Sequence, residues 1–102
     1  MNETEHEIDN IKHLLQLLIA MLNQHEGRNF ISGVISLVDA VSEPEKPARE
    51  RMSYGREIYR RLLGGMGTLG DFVIWDESEM RRMALNNELE NILTALWKAL
   101  EC

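Results

Sequence analysis

Apolar positions near the start of the chain step by three and four: Ile8, Ile11, Leu15, Leu18 and Leu22. That spacing predicts a helix over residues 5–24, and Thr4 with Glu7 has the spacing of a capping box at its start. Leu14, Leu17 and Met21 widen the apolar face, as expected of a helix that touches two neighbours. Gly27 is a plausible stop, because glycine adopts the left-handed conformation that closes helices. A second helix is expected over residues 30–41, behind an Asn29 cap, with Phe30, Val34, Leu37, Val38 and Val41 on one side. Residues 42–47 carry Pro44 and Pro47, which disfavour helix, and read as a linker inside one domain. The period returns over residues 48–63 with Met52, Ile58, Tyr59, Leu62 and Leu63, interrupted at Gly55.

The next eight residues, 64–71, differ from the rest. Gly64, Gly65, Gly67 and Gly70 place four glycines in seven positions, between a helix and the apolar run 72–75. Glycine at such density marks positive φ or close backbone approach, so a specific structural turn is expected, followed by a short extended segment at 72–75. That segment lies against the helices or pairs across a homodimer. Asp76 and Glu79 have capping-box spacing ahead of a long fourth helix. Its main seam is Leu85, Leu89, Ile92, Leu96 and Leu100, with Met80, Met83, Leu93 and Trp97 alongside. Asn86 and Asn87 interrupt the apolar face and are candidates for hydrogen bonds from the glycine turn. The fold class is therefore mainly α: one domain, residues 1–102, with about four helices and one extended segment before the last.

Charge changes the picture in one direction. With 11 Lys+Arg against 17 Asp+Glu, the net charge of −6 argues against direct nucleic-acid binding, which needs cations to neutralise phosphates. The third helix is the exception: Lys46, Arg49, Arg51, Arg56, Arg60 and Arg61 are six of the eleven basic residues. They pair with the acidic first helix or face water. The single thiol, Cys102, excludes an internal disulfide and suits a reducing compartment. The first ten residues hold no Lys or Arg, so no secretory leader is expected and the cytoplasm is the expected location. The apolar run 14–22 is too short for the ~20 residues that span a bilayer, and no membrane contact is expected.

Candidate chemistry is sparse. A phosphate loop needs glycines that follow a strand and open a helix, together with a lysine in the P-loop case; here they follow a helix and Asp71 would repel an anion. His6, Asn10 and His13 share a helical face without a zinc-protease spacing, and His25 suits a helix C-terminus. No metal, cofactor or catalytic role is assigned. Paired carboxylates such as Asp71 with Glu77 are a weak acid/base signal. Recognition is the stronger reading: Asp71, Trp75, Asp76, Glu77 and Glu79 combine an aromatic anchor with carboxylates, which suits a basic protein partner. The alternative is that Trp75 is core and the acids only cap and solubilise.

Residues 62–74, Leu-Leu-Gly-Gly-Met-Gly-Thr-Leu-Gly-Asp-Phe-Val-Ile, resemble the signature of a family of short bacterial proteins. In that family a helix runs into Gly-Gly-Met-Gly-Ser-hydrophobic-Asn-Asp and an apolar strand. Thr68 stands where Ser is common, and Gly70 where Asn is common. The group is similar to immunity proteins of polymorphic-toxin and contact-dependent growth inhibition systems. The resemblance implies an antitoxin that blocks a cognate basic toxin domain, a nuclease. A small enzyme or ligand-binding domain using residues 64–71 is the competing class, and a homodimeric helical adaptor is the third.

Overall fold

The structure, a computed structural model describing residues 3–102, contains four α-helices. They are α1 (Glu3–Gln24), α2 (Ile31–Ser42), α3 (Ala48–Leu63) and α4 (Glu79–Ala99), with 3-10 turns at Arg28–Phe30 and Leu69–Asp71. Residues 72–76 are extended and join no strand among the described residues. The fold is mainly α, as the periodicities require.

The seam of α1 is the centre of the core: Ile8, Ile11, Leu15, Leu18 and Leu22 are each fully buried. Burying one such side chain contributes ~1.5–3 kcal/mol relative to leaving it in water. The ends of α1 differ from the sequence reading. Thr4 already lies inside the helix, so it is not an N-cap and the Thr4–Glu7 box does not form. At the other end Glu26, with φ 65°, takes the left-handed position, and Gly27 has φ −97°. The Gly27 N–H donates to the Leu22 carbonyl at 2.8 Å, closing the last turn. Gly27 is needed for space instead, since a Cβ there would come within 2.6 Å of Leu22 Cδ2 and 3.1 Å of Phe72 Cζ.

The chain then makes the turn Arg28–Phe30 before α2, so Asn29 lies within that turn and Phe30 occupies the cap position without a side-chain cap bond. Helices α2 and α3 form an antiparallel pair in which each supplies a glycine to the other. A Cβ on Gly33 of α2 would approach Leu62 Cδ2 of α3 to 2.5 Å. One on Gly55 of α3 would meet Val41 Cγ1 of α2 at 2.7 Å and Leu37 Cδ1 at 3.3 Å. Gly55 therefore does not interrupt α3; it leaves room for the Val41 and Leu37 side chains of α2.

The arginines of α3 are used as staples. Arg51 bonds Glu5 of α1 through Nη2, the Val41 carbonyl at the end of α2 at 3.1 Å, and the Lys46 carbonyl of the linker at 3.1 Å. Arg56 Nε donates to the Leu100 carbonyl at 2.7 Å and so caps the C-terminus of α4. Charge-assisted bonds to carbonyls at a helix C-terminus complement its partial negative charge. Buried Tyr59 links α3 to α4: its hydroxyl donates to the Leu93 carbonyl at 2.7 Å. Burial, reinforced by Cys102, pushes the Tyr59 phenol far above its ordinary value. Among the described residues no helix is long and apolar enough to cross a membrane.

Candidate functional site

The glycine turn is built from short-range bonds. Gly65 and Gly67 have φ of 93° and 76°, in the left-handed region that costs other residues ~1–2 kcal/mol. The Thr68 hydroxyl donates to the Gly65 carbonyl at 2.7 Å, and the Gly67 N–H donates to Asp71 Oδ2 at 3.4 Å. Gly70 has no room for a side chain, because a Cβ would sit 2.4 Å from the Leu63 carbonyl oxygen. Gly64, at the end of α3, is extended, with φ −89° and ψ 127°. Met66, between the two left-handed glycines, projects into solvent at 95% exposure.

Beyond the turn, residues 72–76 alternate in and out. Phe72 is half-buried against Phe30 with ring centroids 5.4 Å apart, Ile74 is fully buried, and Val73 and Trp75 face outward. Asn86 of α4 holds this segment in place of a partner strand. Its Oδ1 accepts from the Ile74 N–H at 2.8 Å, and its Nδ2 donates to the Ile74 carbonyl at 2.9 Å. The amide thus pairs with the extended segment and not with the glycine turn, and Asn87 is exposed. Pairing through Ile74 across a homodimer is closed off, since both its backbone groups are occupied.

The N-terminus of α4 is capped by Ser78, whose Oγ accepts from the Arg81 N–H at 3.2 Å; the Asp76–Glu79 capping box does not form. Asp76 organises the approach to the cap. Its Oδ2 accepts from the Ser78 N–H at 2.9 Å, and its Oδ1 pairs with Arg81 Nε at 3.2 Å. Asp76 thus serves the chain itself, as Asp71 does through the Gly67 N–H, which sets both apart from the other carboxylates proposed to meet a partner. Glu77 and Glu79 are exposed and form no ion pair among the described residues. Asp71 is exposed beside the turn.

Trp75 is 73% exposed, so it is not core. Arg82 stacks on it, with the guanidinium carbon 4.5 Å from the ring centroid, and Arg82 Nη1 donates to the Asp76 carbonyl at 3.2 Å. Sequence reasoning left out Arg81 and Arg82, which reduce four carboxylates in this stretch to a net charge of −2. It also placed Met80 and Met83 alongside the core seam, whereas they are 83% and 60% exposed. Both lie in the first half of α4, before the helix reaches its buried residues Leu89, Ile92 and Leu96. The i, i+4 spacing of Arg82 and Asn86 on the flank next to the extended segment was the signal available for the missed pair.

A shallow depression of about 300 Å³ separates Trp75 and Val73 from the end of α1, where His25 and Glu26 form its far wall. Cys102 is half-buried, its N–H donating to the Trp97 carbonyl at 3.0 Å. Burial raises its thiol above the ordinary value, against a lowering pull from Arg60 and Arg56. A thiol held protonated is a weaker nucleophile. Among the described residues no cluster of His, Cys, Asp and Glu has the geometry of a metal site. Set against protein-family models, curated proteins and solved structures, the chain matches none.

Proposed function

We propose that this protein is a cytoplasmic immunity protein, which binds the toxin domain made by the same bacterial cell and occludes its basic active cleft. The observation that carries this reading is Trp75. Its ring is 73% exposed, yet its backbone follows directly on Ile74, which is buried and held at both polar groups by Asn86. A large aromatic fixed before binding loses little conformational entropy on association, and tryptophans dominate interface energetics. Val73, Met80 and Met83 add exposed apolar area from the same segment and the helix that follows it.

Charge supports a basic partner. Asp71, Glu77 and Glu79 lie within four residues of Trp75 in the sequence, and the chain carries −6. Opposite charge speeds encounter, and a nuclease cleft must be positive to hold phosphates. Direct nucleic-acid binding is disfavoured by the same charge. No cofactor enters this mechanism. The resemblance of residues 62–74 to the immunity-protein group points the same way.

The reading is tested in cells expressing the cognate toxin domain it proposes. Reversing Asp71, Glu77 and Glu79 to Lys together should reduce protection while leaving the helical circular dichroism spectrum unchanged, because all three are exposed and the bond given up, from the Gly67 N–H to Asp71, lies in the turn outside the α-helices. Asp76 is left alone, since its loss would disturb the cap. Protection that survives this triple reversal intact would reject charge-driven toxin blocking.

A further inference from the structure

Helix α1 carries two parallel stripes. The core stripe is the fully buried seam. The second runs Asn10, Leu14, Leu17, Met21, Gln24, spaced four and three, which is the spacing of a coiled-coil seam. Only its floor is covered: Met21 is 6% exposed, Leu14 is half-buried, and Leu17 is 44% exposed. Between this stripe and α4 lies an open groove of about 510 Å³, closed on the α4 side by Leu85, Glu88 and Ile92.

Two properties of this face identify its occupant. Residues 13–25 contain no Asp, Glu, Lys or Arg, in a chain of which 27% is charged. Interface centres are depleted of charge in this way. Among the described residues Glu88 is the one charged side chain lining the groove, and a second copy, itself at −6, can approach because the α1 stretch it lays there carries no acid to meet that carboxylate. The stripe is also self-complementary on reversal. An amide lies at each end, Asn10 and Gln24, apolar side chains lie between, and Leu17 is the midpoint. An isologous two-fold interface requires that property: residue i meets j, and j meets i.

We infer that the α1–α4 face binds a second copy of this chain, with the two α1 helices antiparallel about a two-fold axis at Leu17. Leu17 then meets its counterpart, Leu14 lies over the partner's Met21, and Asn10 faces the partner's Gln24. Each α1 ridge lies along the other copy's groove, and the amides at the ends fix the register as polar positions do in coiled coils.

The stripe is about 21 Å long, and a face two helices wide presents roughly 400 Å² per copy, about half the standard area per partner. Association is accordingly weak, and chain concentrations from about 10 micromolar to 1 mM span the range in which it is read. This surface adjoins the Trp75 depression at Gln24 and His25, but its axis residue Leu17 lies outside that depression and Trp75 lies outside the groove, so the two can be tested by separate substitutions.

Sedimentation equilibrium of the full chain tests the proposal. The wild type should pass from monomer to dimer over that concentration range. Leu17→Glu should weaken dimerisation by about a hundredfold, as should Leu17→Lys, because each places like charges together at the axis. An equimolar mixture of the two variants should restore the dimer, since the axis then joins opposite charges. Trp75→Ala should dimerise as the wild type does. Leu17 is partly exposed, so unchanged circular dichroism will verify that both variants are folded. A wild type that stays monomeric to about 1 mM, dimerisation that survives Leu17→Glu, or a mixture that fails to restore it would each overturn the proposal.

Discussion

From Leu89 onward α4 rests on burial: Leu89, Ile92, Leu96 and Leu100 enter the core, and Tyr59 bonds the backbone at Leu93. From Glu79 to Asn87 the same helix rests on polar devices: the Ser78 cap, the Asp76–Arg81 pair and the Asn86 clamp. Burial is non-directional and fixes a helix only to within its packing. Hydrogen bonds fix positions, because geometry decides whether they exist. The half held by polar bonds carries the most exposed large apolar side chains of the helix, Met80 and Met83 against Trp97 at 44% in the other half, and it holds the segment carrying Trp75. Position is supplied there without covering the surface, as a docking face requires.

The contrast sets an order of sensitivities. The largest effect is expected in the buried half: Leu96→Ala should cost ~2–5 kcal/mol, while Met83→Ala in the exposed half should stay within ~0.5 kcal/mol. Denaturant midpoints of the two variants measure the difference, and near-equal values would erase the distinction between the halves. Next is the clamp. Asn86→Ala leaves the N–H and carbonyl of Ile74 without protein partners and should cost ~1–3 kcal/mol. Amide exchange at Ile74 should accelerate more than exchange in the core of α1. Uniform acceleration would mean that the clamp is part of the global fold and does not act locally.

The smallest effect concerns the link between α3 and the buried half. Tyr59→Phe should cost ~1 kcal/mol for the lost hydrogen bond. It should also change the response to alkali. The folded phenol titrates well above its unfolded value of about 10.0, so the folded state retains a proton that the unfolded state loses. Its contribution is fully present below pH 10, and stability falls as pH rises beyond that. Tyr59→Phe should therefore unfold less steeply above pH 10, when melting temperatures are compared across the alkaline range. Identical slopes would place Tyr59 in contact with solvent.

The helical seams were legible because period 3.6 is a property of many residues at once. Helix ends were not, because neighbouring candidates compete within a few residues. Asp76 and Ser78 are both good caps; Ser78 wins, with Asp76 bonded to its N–H. The left-handed stop fell on Glu26 because packing against Leu22 and Phe72 needed the glycine at 27. Gly55 read as a defect for a similar reason: its purpose lies on α2, far away in sequence. At the candidate site, the carboxylates were legible as types but not in their duties, since Asp76 turns inward to Arg81. Exposure of Trp75 could not be read at all, because an aromatic in a β-branched run has the same local pattern whether or not a helix covers it.

Trp75, on the segment that Asn86 holds in place, is proposed to anchor a basic protein partner. Titration of the purified chain with the cognate toxin domain proposed for it tests this most directly, by calorimetry at two salt concentrations. Tight binding is predicted, and Trp75→Ala should weaken it by about thirtyfold or more, a hot-spot loss of ~2 kcal/mol. Added salt should weaken binding of both proteins alike, through the carboxylates. Equal affinities for wild type and Trp75→Ala, with the toxin domain still bound, would contradict the claim.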